Sequence, residues 1–470
     1  MKGFNLISLN YSLYKNKIFE VYEMTEEFDC IICGAGIAGL LTGASLSRAG
    51  LKVLILEKTA NLGGRSLCVE KEGFLVDLGI HVIRYCKKSP TATIFKKLLG
   101  GKEKLDLIEL GDAKLFSNGN WYDYPLSAAA IQTTTFFNDV EKQQFMKILS
   151  EEIIQAKAVT LLDKNVKEWI ADAEKKYDIK PGAARLFLET LAKFMLVSSG
   201  DLDKLSVGEL VAGIQLGLKA GKGACYPRGG WKDFIERLAK ILKENGEIRI
   251  KTKVEKVLVE AGKVKGVIAD GKTINSKIVI VNLPAQEIFT ILDENLFSAV
   301  FIEKCKNLIP TAGVSIDFGL KRKVSDFNGS ILSTDPFTMS IFTSNIDPSL
   351  APEGKQLYTI FQPIPLEEIK NEEKANEVVK RIEQLLEEMF LGFFENELWR
   401  RVIKFRIVDG AIPFISQHRD KRPSVKSEKI EGLYFTGDTY NGPGTGGEIA
   451  HASAELCITT IMKDLNIEFK

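Results

Sequence analysis

Residues 30–39 read CIICGAGIAG, and two motifs overlap in them: C-x-x-C at Cys30 and Cys33, and G-x-G-x-x-G at Gly34, Gly36 and Gly39. Phe28–Cys33 is a short apolar run that ends in glycine, the pattern of a buried strand. Side chains alternate along a strand, so two cysteines three positions apart point to opposite faces and cannot act as a pair. No second C-x-x-C follows to complete a metal site, and no metal is expected. The cysteines read as small apolar fillers. The glycines have the flanks their motif needs. Ile37, Leu40, Leu41 and Ala44 recur after them at helical spacing, and Leu51–Glu57, LKVLILE, is a second apolar strand ending in an acid. Gly34 permits a tight turn, Gly36 lets backbone approach a pyrophosphate, and Gly39 lets helix and strand pack closely. The loop and helix start that carry Ala35, Ile37 and Ala38 then offer N–H groups and a positive dipole end to phosphates. Glu57, followed by Lys58, stands where a carboxylate accepts the hydroxyls of a ribose.

The composition sets wider bounds. The chain has 470 residues, 45% hydrophobic and 27% charged, enough for a large core and two or three lobes. Lys and Arg number 63 against 62 Asp and Glu, so the net charge of +1 gives no sign of a nucleic-acid partner. Seven scattered cysteines point to an intracellular, reduced protein, not to a disulfide scaffold. No apolar run is long enough to span a bilayer. The first residues break every short apolar run with Asn, Lys or Glu and lack the apolar region of a signal peptide, so 1–24 is read as an extension and Met24 as a candidate start. The expected place is the cytoplasm, with membrane association left open.

Further motifs extend the dinucleotide reading. Leu62–Ser66, LGGRS, sets Gly63, Gly64, Arg65 and Ser66 just past the ribose acid, with Arg65 able to neutralise pyrophosphate charge. Phe74–Leu78 is another short strand, followed by Gly79, Ile80 and His81. Near the other end a strand, Leu433–Thr436, meets Gly437 and Asp438. A glycine-rich loop with Gly446 and Gly447 leads from there into a helix from about Glu448, with Ile449 in its first turn. These pieces resemble the flavoprotein superfamily of phytoene desaturases, carotenoid isomerases, protoporphyrinogen oxidases and flavin amine oxidases. The resemblance implies a discontinuous Rossmann-like α/β domain that binds FAD, with an α+β substrate lobe. By motif it makes cofactor contacts of Gly34, Gly36, Gly39, Glu57, Gly63, Gly64, Arg65, Gly437, Asp438, Gly446 and Gly447. Two middle segments look like the family as well: Tyr226–Leu242, YPRGGWKDFIERLAKIL, and Ile248–Ala285, a hairpin and returning strand in which the backbone of Val254 would face the adenine.

The implied cofactor domain covers 25–85, 225–300 and 425–465, and the substrate lobe 86–224 and 301–424. In the lobe, segments 140–158, 165–178 and 183–199 carry apolar residues on one helical face. The helix expected over Glu372–Phe394 carries a stripe of Leu385, Leu386, Met389, Phe390, Phe393 and Phe394, read as a core face or as a lipid-facing patch. Pro125–Phe137, PLSAAAIQTTTFF, is a second candidate of that kind. Of three histidines, His81 would lie beside the flavin or cap a loop, His418 falls in a charged loop, and His451 packs on the last helix. No second strand–glycine–helix unit offers a nicotinamide site, so electrons would pass to oxygen, a quinone or another diffusing acceptor. The leading expectation is dehydrogenation of a small apolar substrate, an isoprenoid-like polyene, on non-covalent FAD. The alternatives are a protoporphyrinogen or amine oxidase, a redox-neutral flavin-dependent isomerase, and a flavin-free lipid binder of the GDP-dissociation-inhibitor kind. NGPGTGG, residues 441–447, favours the first, because it resembles the phytoene desaturase loop and has no aromatic just before the helix.

Overall fold

The structure, a computed structural model, describes residues 26–468 apart from 100, 102 and 222. The extension 1–24 and the candidate start Met24 lie outside the described residues. Glu27–Cys33 is a strand and Ile37–Arg48 the helix after it. Val53–Leu56 returns parallel to the first strand, with Ile31 opposite Leu54 and Cys33 opposite Leu56. Gly246–Arg249 extends the parallel sheet beyond Val53–Leu56. On the other side of the first strand lies Lys272–Val281, also parallel, and Leu433–Phe435 pairs in parallel with its last three residues, Val279–Val281. Cys30, Ile31, Ile32, Val279, Ile280 and Val281 are all buried, because helices cover this sheet and both strand faces must be apolar. The expected α/β dinucleotide fold is therefore present, and the strands expected over Phe28–Cys33, Leu51–Glu57 and Leu433–Thr436 lie within two residues of those bounds.

A second seven-stranded sheet is mostly antiparallel and is centred on Ala312–Leu320 and Gln356–Ile364. Helix Glu372–Met389 lies in the same core cluster as these strands. Leu385, Leu386, Met389, Phe390 and Phe393 belong to that core and Phe394 packs against it, so the stripe is a core face and not a lipid patch. The helix ends at Met389, short of the predicted Phe394, and Phe394–Asn396 makes a separate short turn. The segment read as one helix over 140–158 is helical over Asp139–Lys147, widens over Ile148–Ile154, and resumes as a tight turn at Ala158–Leu161.

One expectation is corrected. Cys86 and Cys225 form a disulfide across a sequence separation of 139, with Cα atoms 5.4 Å apart. The remaining five cysteines are free. No local spacing reveals the pair, because it staples the short strand after His81 to the distant strand Ala224–Pro227. Cys30 and Cys33 are free and buried, and burial pushes both thiols well above the usual range, Cys33 to about 12. They pack as apolar fillers and present no reactive thiolate.

A buried carboxyl stands beside this junction. Asp77 accepts a hydrogen bond from the Tyr226 hydroxyl, and its other oxygen has no partner. Burial pushes its pKa from 3.8 to about 7, against the pull of the Tyr226 bond. The folded state thus binds this proton more tightly than the unfolded chain, so the stability it contributes is full below about pH 4 and is lost as the pH rises through 7. Asp77→Asn should gain on the native protein between pH 5 and pH 8, by on the order of 2 kcal/mol, in denaturant unfolding at the two pH values. A gap between variant and native that does not move with pH would show that Asp77 is ionised throughout.

Candidate functional site

A single cavity of about 1290 Å³ runs from the glycine motif to the second sheet. Pockets that hold drug-sized ligands measure roughly 300–1,000 Å³, so a dinucleotide and a second molecule can share this space. One end is walled by Gly34, Gly36, Ile37, Ala38, Glu57 and Val254. The other is walled by Leu126, Phe194, Ile214, Leu218, Met339 and Phe361.

At the motif end, the first helix begins at N-cap Gly36 with no side chain capping it, and the parallel strand feeds it directly. Gly34, at φ +106°, makes the turn in a region that only glycine occupies without strain. Asn282, at the end of the central strand, donates from Nδ2 to the Gly34 carbonyl at 3.0 Å. A Cβ on Gly39 would sit 2.5 Å from both that carbonyl oxygen and Asn282 Nδ2, so Gly39 is required by the packing of the protein on itself. Glu57 accepts the Ala35 N–H on Oε2 and the Thr59 N–H on Oε1, each at 2.8 Å. A carboxylate has about four acceptor sites, so these bonds fix its orientation and leave the remaining sites for the cavity it lines. Lys58, Gly63, Gly64, Ser66, Gly79, Gly437, Gly446 and Gly447 also line the cavity. Ala35, Gly39 and Ile449 are set back from its wall: Ala35 and Ile449 are fully buried, and Gly39 faces Asn282.

Arg65 has a protein partner where a phosphate was expected. Its Nη1 and Nη2 donate to the two oxygens of Asp438 at 2.6 Å each, and Nη1 also reaches the Val408 carbonyl at 2.9 Å. Asp438 accepts a further bond from the Gly410 N–H at 2.6 Å. Despite deep burial, the Arg65 guanidinium and these bonds hold the Asp438 carboxyl below its ordinary range. The positive charge of Arg65 is already balanced, so the pair braces the loop after Leu433–Phe435 against the LGGRS turn.

Deeper in, Arg84 and Glu448 form a second pair. Glu448, first residue of the C-terminal helix Glu448–Leu465, accepts the Arg84 backbone N–H at 2.9 Å and lies 3.6 Å from its Nε. Arg84 also donates to the Met195 carbonyl and to Thr445 Oγ1, both at 2.9 Å. Burial raises the pKa of Glu448. His81 lies on the cavity wall with Nδ1 3.3 Å from the Gly79 carbonyl and its ring 5.8 Å from Trp231. His451 pairs with Thr91 at 2.5 Å. Burial lowers both imidazoles to about 4, so both are neutral at pH 7. His418 is buried under its loop, with Nε2 3.3 Å from Asp163 and Nδ1 accepting from Asp420, remote from the cavity.

Sequence reasoning missed Arg84, Asn282's bond to Gly34, Asp409 and helix Val207–Ala220, which lines the cavity through Gly213, Ile214, Gly217 and Leu218. None of them stands in a recognisable motif. The Pro125–Phe137 segment does reach the site, through Leu126, Ser127, Ala129, Ala130 and Thr133.

The donor set fits FAD. A turn of glycines opens an uncapped helix onto the cavity, an oriented carboxylate stands at the end of the second strand, and a second uncapped helix starts at Gly447, where a Cβ would meet no protein atom within 4 Å. The comparisons with known proteins agree. The family model described as flavin containing amine oxidoreductase matches residues 37–456, and the chain belongs to that family. It is an oxidoreductase whose cofactor is FAD. The chain is similar to the chloroplastic prolycopene isomerase of Daucus carota, 26% identical with 95% of this chain and 82% of that protein aligned. It is also similar to the 4,4'-diapolycopen-4-al dehydrogenase of Metabacillus indicus, 22% identical with 92% and 96% aligned. An oxidoreductase from Methanosarcina mazei has the same fold, with a TM-score of 0.75, 22% identity, and 92% of this chain and 99% of that one covered. Among the described residues, no helix is long and apolar enough to cross a membrane.

Proposed function

We propose that the chain dehydrogenates an apolar, polyene-like substrate on non-covalently held FAD and passes the electrons to a diffusing acceptor, oxygen or a quinone. The observation that carries this is the cavity itself, which continues from the FAD end into a wall of Leu126, Phe194, Ile214, Leu218, Met339 and Phe361. Such a wall stabilises a long hydrocarbon by burial, at about 25 cal/mol per Å² of apolar surface. Tyr440, the one aromatic in the loop before the C-terminal helix, is fully buried and donates to the Leu283 carbonyl at 3.1 Å, away from the cavity. No aromatic cage for an amine is built there. The carotenoid enzymes among the similar proteins support the same substrate class.

FAD, when bound, accepts a hydride equivalent from the substrate. Gly36, Ile37 and Ala38 would present their N–H groups to its phosphates and Glu57 would hold its ribose, while the Arg65–Asp438 pair fixes the loop over it. We assign segments 25–85, 225–300 and 425–465 to cofactor binding, and 86–224 with 301–424 to the substrate. A polyene added to the FAD-loaded protein without oxygen should bleach the flavin and yield a product lighter by two hydrogens, whereas putrescine should do neither. Bleaching by amines alone would overturn this reading. A product of unchanged mass formed only on reduced flavin would establish isomerisation, the reading favoured by the similarity to prolycopene isomerase.

A further inference from the structure

Asp409 is buried, 8% exposed, and lines the cavity. Among the described residues no hydrogen bond or ion pair reaches its carboxyl. Its backbone is held firmly: Thr311 N–H donates to its carbonyl at 2.9 Å, and Val408 N–H donates to the Thr311 carbonyl at 2.7 Å. It lines the cavity together with Val408, Gly446 and Gly447. A Cβ on Gly446 would lie 3.6 Å from Asp409 Oδ2, so the carboxyl faces the loop that leads into the C-terminal helix.

The charged groups that face it are Asp438 and Arg65 of the cofactor motifs, Glu448 at the start of the C-terminal helix, and Arg84. Arg65 is bonded to Asp438, and Arg84 lies against Glu448 while it donates to the Met195 carbonyl of the apolar wall. Two guanidiniums thus face three carboxyls. Each guanidinium already has its own acid, and Asp409 is the carboxyl left without a cation. A buried carboxyl without a partner keeps a proton readily and exchanges it near neutral pH.

We propose that Asp409 is the proton acceptor of the reaction, the group that takes the proton released as the substrate is dehydrogenated. The inference rests on the dehydrogenation reading above. Removing two hydrogens from a –CH₂–CH₂– unit breaks two C–H bonds and forms one π bond. One C–H bond gives its hydrogen and electron pair to oxidised FAD as hydride. The electron pair of the other becomes the π bond, and its proton goes to the Asp409 carboxylate, which becomes the acid and later releases the proton to water. Burial, then the neighbouring Asp438, push the Asp409 pKa from 3.8 to about 7, against the pull of Arg65 and Arg84. A base of that strength is half ready at neutral pH, where general bases work best.

The test uses the FAD-loaded full chain with Asp409→Asn and Asp409→Glu. Infrared difference spectra between pH 6 and pH 8, without substrate and in an Asp77→Asn background that removes the other carboxyl titrating near 7, should show a carboxylic-acid carbonyl band titrating with a midpoint near 7. That band should vanish in Asp409→Asn and shift in Asp409→Glu. In anaerobic mixing with polyene, the rate of flavin reduction should rise through pH 7 in the native protein. It should fall by about 10²-fold or more, without that step, in Asp409→Asn, and Asp409→Glu should restore the step. A band that survives in Asp409→Asn, or an unchanged rate and pH step in that variant, overturns the proposal and leaves the substrate reading intact. A band lost in Asp409→Asn, with no flavin reduction by any polyene in the native protein, overturns the substrate reading and keeps Asp409 as the site of the exchanging proton.

Discussion

Arg65→Met should empty the protein of FAD and destabilise it together. Asp438 is only 6% exposed in its side chain, and both of its oxygens are bonded to Arg65. Removing one partner of a buried pair leaves an uncompensated carboxylate at a cost of 3–5 kcal/mol, and the 37% exposure of Arg65 puts this case at the low end, about 3 kcal/mol. The carboxylate keeps its bond from the Gly410 N–H, but the link to the LGGRS turn and to the Val408 carbonyl is gone. The loop that carries Gly437 and the segment that carries Gly63 and Gly64 then lose their common brace, and both line the cavity. A loss of that size spent on cofactor affinity is about a hundredfold in Kd. Fluorescence of released flavin on dilution reads the affinity, and denaturant unfolding of the apo-protein reads the stability. Arg65→Lys keeps the charge but not the two-pronged geometry, so it should fall between native and Arg65→Met. An Arg65→Met protein with native affinity and native unfolding would show that the pair holds nothing.

The role of this pair also shows where the sequence is legible and where it is not. The glycine motif, the two strands and Glu57 are readable because their demands are local: one turn, one helix start, one acid at a strand end. Arg65 and Asp438 are each readable as members of their motifs, but their pairing is not, since it joins residues 373 apart in the chain. Asp409 and Arg84 stand in segments with no pattern of their own and become a cluster only when the sheets bring them to one cavity. The helix Val207–Ala220 was hidden for a different reason. Its glycines lower helix propensity, yet each answers a neighbour: a Cβ on Gly208 would meet the Ala158 carbonyl at 2.5 Å, and one on Gly213 would meet Met195 Cε at 3.1 Å. Tertiary packing overrides the local preference. The same holds for the aromatic stripe of the helix Glu372–Met389, whose period gives its apolar face but not which partner covers it.

Gly39→Ala and Gly447→Ala should part company, although both glycines belong to the cofactor motifs. At Gly39 the added Cβ would stand 2.5 Å from the Gly34 carbonyl oxygen and 2.5 Å from Asn282 Nδ2. Those two atoms are bonded to each other at 3.0 Å, so the methyl group wedges into an existing hydrogen bond. The Asn282 amide is a side chain, but the Gly34 carbonyl is backbone that no rotamer change can clear, so movement of the first helix away from the sheet is needed to relieve the contact. Overpacking of this kind costs about 1–3 kcal/mol, and the displaced helix start no longer aims its N–H groups at the phosphates. The apo-protein should therefore be destabilised and the FAD affinity should drop by at least a hundredfold. Gly447 differs in both respects. Its φ is −57°, an ordinary helical value, and a Cβ there would meet no protein atom within 4 Å. Gly447→Ala should leave the unfolding of the apo-protein unchanged, because nothing in the protein opposes the methyl group. Gly447 nevertheless lines the cavity at the start of the C-terminal helix, so the space its Cβ would fill belongs to whatever the cavity holds. FAD binding should weaken there by about tenfold with native stability, the pattern of a group that collides with the ligand alone. Equal loss of apo-protein stability in both variants would show that the loop before the C-terminal helix is packed as tightly as the first motif, and that its glycines serve the fold and not the flavin.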